Sequence, residues 1–234
     1  MIKTVFITGA DKGLGFSLVQ RFLREGVRVF AGQLHSNSDL LRLAKSFPQA
    51  LTPILLDVTD LDSVSQAAGS VAKLIPGLDI LINNAGVMLE TRTPLPELNL
   101  AHVPLFETLD VNAFGPLRMV QQFLPLLEKG DHKLIINISS EAGSIADCSR
   151  ESEFAYCMSK AALNMQSKIL QNYLKPHGFK ILAVHPGWMQ TDMGGANATI
   201  HPGEVANDIF NLAVKNWNLN NEIYMDYRGQ PLPW

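Results

Sequence analysis

The chain has 234 residues, of which 47% are hydrophobic and 18% charged, and its formal net charge is −3. A chain of this length buries about 70–75% of the surface that its unfolded form exposes, so residues 1–234 suffice for one domain with a large core. The charge balance offers neither a basic footprint for nucleic acid nor an acidic tail, which leaves a small molecule as the expected partner.

The apolar run Thr4-Val5-Phe6-Ile7 leads at once into a glycine turn and is too short for a signal-sequence core or a membrane span. No later run reaches the ~18 apolar residues that a span requires. Cys148 and Cys157 fit neither a disulfide framework nor a zinc cluster, and reduced thiols suit a cytoplasmic protein. The six histidines are scattered without ligand spacing, so no metal is expected.

Short runs rich in branched residues predict strands at Thr4 to Thr8, Val27 to Ala31, Leu51 to Leu56, Ile80 to Asn83, Leu134 to Ile138, Ile181 to Val184 and Glu222 to Met225. Helical patterns fall between them, near Leu14 to Arg24, Ser38 to Lys45, Leu61 to Leu74, Phe106 to Leu127, Tyr156 to Leu174 and Gly203 to Lys215. Continuous apolar strands alternating with helices predict an α/β chain, a doubly wound Rossmann-type parallel sheet of about seven strands with helices on both faces. Two irregular stretches, Thr91 to Pro104 and Gly187 to Pro202, follow strand ends, where such sheets bind ligands.

The first strand runs into Thr8-Gly9-Ala10-Asp11-Lys12-Gly13-Leu14-Gly15 and then an amphipathic helix. Glycines let a backbone turn sharply and approach a pyrophosphate, whose charge meets the N–H groups and dipole of the helix start. A glycine-rich turn can also be a plain strand-to-helix connection; the strand before and the helix after favour dinucleotide binding. At the end of the second strand, where an acidic side chain would accept the ribose 2′-hydroxyl of NAD, the chain reads Gly32-Gln33-Leu34-His35-Ser36-Asn37. With no carboxylate there to repel a 2′-phosphate, and with Lys12, His35, Ser36 and Asn37 as donors, NADP(H) is favoured over NAD(H). Asp57-Val58 closes the third strand and is a candidate for the adenine amino group. Asn83-Asn84-Ala85-Gly86 ends the fourth, where Asn83 serves either as a scaffold tie or as a cofactor contact.

Tyr156 and Lys160 stand four residues apart in an Ala-rich helical stretch, so both leave one face. A phenol of pKa about 10 is a poor acid–base group at neutral pH, and an ammonium one turn away favours its phenolate. Tyr and Lys at this spacing also occur on ordinary solvated faces. The rest of the chain decides for chemistry: Thr8 to Gly15, Asn83 to Gly86, Asn112, Ser139-Ser140, Tyr156 with Lys160, and Pro186-Gly187 resemble, in order and spacing, the short-chain dehydrogenase/reductase family. Gly143-Ser144-Ile145-Ala146-Asp147, His185-Pro186-Gly187-Trp188 and Thr191-Asp192-Met193-Gly194-Gly195 look like its C-factor and sniffer-type carbonyl reductase branch.

The resemblance implies an oxidoreductase acting on an aldehyde or ketone, or on the alcohol in reverse, by direct hydride transfer. Tyr156 would exchange the proton, Lys160 would lower its pKa and hold the nicotinamide ribose, Ser140 would bond the substrate oxygen, and Asn112 would hold a water linking Lys160 to solvent. Ile7 to Gly15, including Gly9, Asp11, Lys12, Gly13, Leu14 and Gly15, would hold phosphate. Asn84, Ala85 and Gly86, with Pro186, Gly187, Met189 and Thr191, would edge the nucleotide. Met88, Trp188, Met189 and Met193 would wall an apolar substrate or simply pack. Family members pair through long helices, which implies a homodimer or homotetramer. The C-factor likeness also implies an alternative, a dinucleotide-binding signalling protein in which turnover is incidental.

Overall fold

The computed structural model describes residues 2–90, 92–214 and 222–234. Seven strands, β1 (Thr4–Ile7), β2 (Arg28–Gln33), β3 (Leu51–Leu55), β4 (Ile80–Asn83), β5 (Leu134–Ile138), β6 (Lys180–His185) and β7 (Tyr224–Asp226), form one sheet in the order β3-β2-β1-β4-β5-β6-β7. Every adjacent pair is parallel, as strands buried on both faces favour. Side-chain alternation divides the core. Val5 and Ile7 face α1 (Gly13–Arg24) and α7 (Pro202–Val214), where the Phe22 and Phe210 rings meet edge to face at 5.0 Å. Phe6 points to the other layer, formed by α3 (Leu61–Ala72), α5 (Gly115–Leu127) and α6 (Phe154–Leu174), and meets Phe123 at 4.6 Å.

The order reverses between β1 and β4, where chains leaving β1 and β4 diverge and open a crevice at the carboxyl ends. Both the glycine turn and Asn84 lie there.

Several boundaries depart from the sequence reading. β2 extends two residues beyond Ala31, because Gly32 and Gln33 pair with Ile54 and Leu55 instead of turning. β7 begins at Tyr224, later than Glu222. The predicted helix from Phe106 to Leu127 is broken into α4 (Leu105–Leu109), a π-turn at Asp110–Phe114, and α5. Pro116 has no N–H for the Asn112 carbonyl, and Gly115 N–H reaches back five residues to Asp110. Gly115 also meets the turn after β3 closely, since a Cβ there would stand 2.9 Å from Val58 Cγ2. Lys215 and Thr91, which bounded a predicted helix and a predicted loop, lie outside the described residues, and among the described residues no helix is long and apolar enough to cross a membrane.

A polar chain crosses the sheet beneath the crevice. Asn83 Nδ2 donates to Asn137 Oδ1 at 2.8 Å, Asn137 Nδ2 donates to Ser167 Oγ at 2.8 Å, and Ser167 donates to the Leu163 carbonyl at 2.7 Å. Asn83 is thus a scaffold tie, made side chain to side chain. Replacing Asn137 with Ala strands the buried Asn83 amide nitrogen, and should cost roughly 1–3 kcal/mol in urea unfolding at an unchanged m value.

Candidate active site

The glycine turn is pinned from β4. Thr8 Oγ1 accepts from the Asn84 and Ala85 N–H groups, and Asn84 Nδ2 donates to the Thr8 and Gly9 carbonyls, each at 2.9 Å. Gly9 and Gly13 sit at φ +59° and +54°, and a Cβ on Gly15 would stand 2.0 Å from the Gly9 oxygen, so no side chain fits there. Helix α1 has no acidic residue in its first turn and no side-chain cap, which leaves its N-terminal N–H groups facing the crevice without a protein anion. Leu14 itself is core, and Asp11 lies at the half-buried edge of the turn.

The segment after β6 lies across this turn. Gly187 holds φ +77°, and a Cβ on Gly13 would touch Thr191 Cγ2 at 3.3 Å. Lys12 Nζ pairs with Asp192 at 2.9 Å. Thr191 therefore faces the glycine turn, with its hydroxyl oxygen accepting from Gly194 N–H. Met189 bridges to Ile200 and packs, partly buried, on the core, whereas Trp188 and Met193 are exposed and Met88 is half-buried. Pro186 is buried beside Gly187.

After β2 and β3 several of the candidates for nucleotide contact already serve the backbone. Gln33 is buried and accepts from Asn37 N–H, while Asn37 Oδ1 caps α2 (Ser38–Ser46). Asp57 Oδ1 takes the Thr59 N–H and hydroxyl, and Val58 is buried with its carbonyl bonded to Arg118. His35 and Ser36 remain exposed.

At the end of β5 the chain passes through Ser139 and Ser140, whose side chains part. Ser139 donates to Asn164 Oδ1 at 2.6 Å inside the fold. Ser140 lies close enough to the Tyr156 phenol to lower its pKa, accepts from Ala142 N–H, and donates to Glu141 Oε2 at 2.9 Å. Lys160, one turn after Tyr156, is buried and donates to the Ile138 carbonyl at 2.8 Å; its Nζ lies 5.7 Å from the Tyr156 ring centre. Gly86 approaches both this ammonium and Asn112, as a Cβ there would stand 3.7 Å and 3.3 Å from them. Asn112 uses its whole amide on protein: Oδ1 accepts from Val87 N–H, and Nδ2 donates to the Val87 carbonyl and Ser159 Oγ.

Some neighbours of this corner carried no signal in the sequence. The Glu90 carboxylate receives the Ala155 and Tyr156 N–H groups and so caps α6 from the loop after β4. Arg150 binds Glu141 and Glu153, and the Tyr224 hydroxyl donates to the Ser140 carbonyl at 2.7 Å. Such contacts join residues far apart in the chain and follow no local period.

Residues 3–200 match the family model described as short chain dehydrogenase. The chain belongs to the short-chain dehydrogenase/reductase family. C-signal of Myxococcus xanthus is 37% identical over 67% of this chain and 93% of its own. The NADPH-bound carbonyl reductase from chicken fatty liver is 31% identical and superposes with a TM-score of 0.91 over 100% of this chain and 99% of that one. Sniffer, a carbonyl reductase of Drosophila melanogaster, is 28% identical with a TM-score of 0.93 over 100% of both chains. The chain is therefore an oxidoreductase of the short-chain dehydrogenase/reductase type.

The electrostatics of this reductase-like site correct one expectation. Burial pushes the Tyr156 phenol up to about 12, against the lowering effect of Ser140 and with the Glu141 charge adding to the rise. Burial also brings Lys160 down to about 8. The i, i+4 spacing does not by itself yield a low phenol pKa, because desolvation of the anion outweighs an ammonium that faces the ring and the Ile138 carbonyl.

The folded-state value of Lys160, about 8, lies below its ordinary value near 10.5, so the unfolded chain holds more protons between these limits and stability rises with pH across that window. Below it the ammonium costs on the order of 3 kcal/mol, less the ~1 kcal/mol of its hydrogen bond. Lys160→Met should raise the melting temperature of the cofactor-free protein at pH 7, and the gap should close towards pH 10.

Proposed function

We propose that this short-chain dehydrogenase/reductase reduces an aldehyde or ketone with NADP(H), residues 1–234 acting as one dinucleotide-binding domain. The observation that carries the reading is the convergence of Ser140, Tyr156 and Lys160 at the carboxyl edge of the sheet, beside a glycine turn whose helix start faces the crevice without a protein anion. The donors present fit a dinucleotide. The N-terminal N–H groups of α1 suit a pyrophosphate, and Lys160 has three N–H donors of which one is given to Ile138, leaving two for ribose hydroxyls beside Gly86. When bound, the nicotinamide supplies or accepts the hydride.

The protein's part is position and proton. A phenol at about 12 keeps its hydrogen at neutral pH and is poised to give it to a carbonyl oxygen, which suits the reductive direction. Ser140 meets the same oxygen once its own proton turns from Glu141. Asn112 fixes the π-turn between the loop after β4 and α6, and its carbonyl, for which Pro116 has no N–H, is the group we assign to a water near Lys160.

Preference for NADP(H) rests on the absence of a carboxylate among Gln33, Leu34, His35 and Ser36, and on Lys12, whose exposed ammonium can leave Asp192 for a 2′-phosphate. The chicken relative was crystallised with NADPH. The small-molecule carbonyl would enter past Trp188, Met193 and Met88. Exposed Phe114, Leu117, Met165, Ile169 and Tyr173 on α5 and α6 and the π-turn between α4 and α5 form an apolar stripe that supports a homodimer or homotetramer, and two free cysteines support a cytoplasmic setting. Likeness to C-signal favours a second reading, a dinucleotide-binding signalling protein with incidental turnover.

Tyr156→Phe should bind NADPH as the wild type does and lose at least 100-fold in kcat with an aromatic aldehyde. Retained turnover would overturn the assignment of the proton donor. Lys12→Ala should weaken NADPH roughly tenfold or more, the ~1.5 kcal/mol of one charge-assisted hydrogen bond, and leave NADH nearly unchanged in a nicotinamide fluorescence titration.

A further inference from the structure

Ser140 sits where the sheet stops holding the chain. The β5–β6 register ends at Ile138 with Val184, and Ser139 N–H adds one more bond, to the Val184 carbonyl at 2.8 Å. What holds Ser140 beyond that point comes from the turn that follows and from β7. Within the turn, the Ser140 carbonyl accepts from Gly143 N–H at 3.0 Å, and Asn164 Nδ2 donates to the Gly143 carbonyl at 3.1 Å. Gly143 lies so close to α6 that a Cβ there would stand 2.8 Å from the Lys160 carbonyl. From β7, the Tyr224 hydroxyl donates to the same Ser140 carbonyl at 2.7 Å, and its ring is fully buried.

Tyr224 is itself braced. Past β7 the chain turns at Gly229, φ +85°, and comes back antiparallel, so that Met225 bridges Pro231 and Leu232 N–H donates to the Tyr224 carbonyl at 3.0 Å. The Trp234 ring then lies 5.3 Å from the Tyr224 ring, tilted by 35°. The Trp234 carbonyl accepts from Ala146 N–H at 2.8 Å. Residues 224–234 thus grip the turn after β5 at both ends, Ser140 and Ala146.

We propose that Tyr224 is a positioning residue for Ser140, fixing the direction of the Ser140 hydroxyl through the Ser140 carbonyl, with Trp234 holding Tyr224 and the far end of the turn in place. This rests on the reductase reading. The sheet does not need the phenol: β7 pairs with β6 through backbone groups, and a phenylalanine ring would fill the same buried space. What the hydroxyl adds is one bond to the backbone of the residue whose side chain meets the substrate oxygen. Burial pushes the Tyr224 phenol up to about 12, so it stays a donor at neutral pH. Rotation of the 140–141 peptide swings the Ser140 side chain, and a hydrogen bond to a developing oxyanion tolerates little misplacement. With Gly143 N–H and the Tyr224 hydroxyl both on its oxygen, that peptide is fixed from two sides.

The test uses Tyr224→Phe, which removes the hydroxyl and keeps the ring, alone and combined with Ser140→Ala. Alone, it should lower kcat with NADPH and an aromatic aldehyde roughly tenfold, while NADPH affinity by nicotinamide fluorescence and the aldehyde KM stay within about twofold. In the Ser140→Ala chain, whose residual turnover is followed at high enzyme concentration, it should cause no further loss of kcat, because the hydroxyl that Tyr224 aims is gone. Trp234→Ala, at a partly exposed position, should repeat both results in weaker form, and it carries the test should Tyr224→Phe not fold. A Tyr224→Phe kcat equal to wild type, or a fall by the same factor with and without Ser140, overturns the proposal, the second outcome assigning Tyr224 to stability alone. A wild type that binds NADPH and turns over no carbonyl overturns the reductase reading, and this proposal with it.

Discussion

The buried polar stripe of α6 is the constraint on which the site depends. A helix lying flat on a sheet normally offers an apolar face, yet this one presents Tyr156, Ser159, Lys160, Asn164 and Ser167 inward, at i, i+3 and i, i+4 spacing. Such groups are costly in the interior unless they find partners, and four of the five find them in the scaffold: Lys160 on Ile138, Asn164 on Ser139 and Gly143, Ser159 on Asn112, Ser167 on Asn137. The partners come from the end of β5, the turn after it, and the π-turn before α5. One helix face thus fixes the relative height of the elements from which the site is built.

That register has consequences along the crevice. Because the Asn83–Asn137–Ser167 chain ties β4 and β5 to α6, the exit of β4 is fixed, and Asn84 can clasp the glycine turn from across β1. The turn in turn depends on glycine where Gly15 passes the Gly9 carbonyl, a contact that any side chain would forbid. The glycine turn and the Tyr156–Lys160 corner are therefore parts of one polar scaffold. The loops that touch it, through Glu90 on the start of α6 and Lys12 on Asp192, join it from outside the core and leave room for different substrates.

What could be read in the sequence followed from local periodicity and from backbone chemistry. The seven strands, the glycine turn and the Tyr156–Lys160 face each rest on patterns within a few residues, and the parallel sheet follows from strands apolar on both faces. The π-turn did not show, because the apolar spacing from Phe106 to Leu127 continues through it and only Pro116 and the long reach of Asn112 break the helix. Gln33, a candidate for the nucleotide, proves to be buried under the next helix. The phenol pKa was misjudged for a related reason: spacing reports which side chains are near, whereas burial, which here decides the sign, is set by the whole fold.

The same burial explains why a destabilising lysine sits at the centre of the scaffold. An ammonium with one carbonyl partner in the interior is poorly compensated, and its lowered pKa records that cost. An apolar side chain of similar length would suit the cofactor-free fold better. Under the dinucleotide reading proposed above, the two unspent N–H groups beside Gly86 are where that cost would be recovered: ribose hydroxyls brought to them would satisfy the ammonium, so binding free energy at this point would include relief of a strain already present in the fold. Restoring the ammonium's partners also favours its charged form next to Tyr156, and that charge is what a phenolate, once formed, requires. On the proposed mechanism the phenol would thus keep its proton until ligand completes the lysine's bonds, which would couple proton transfer to occupancy without any moving part.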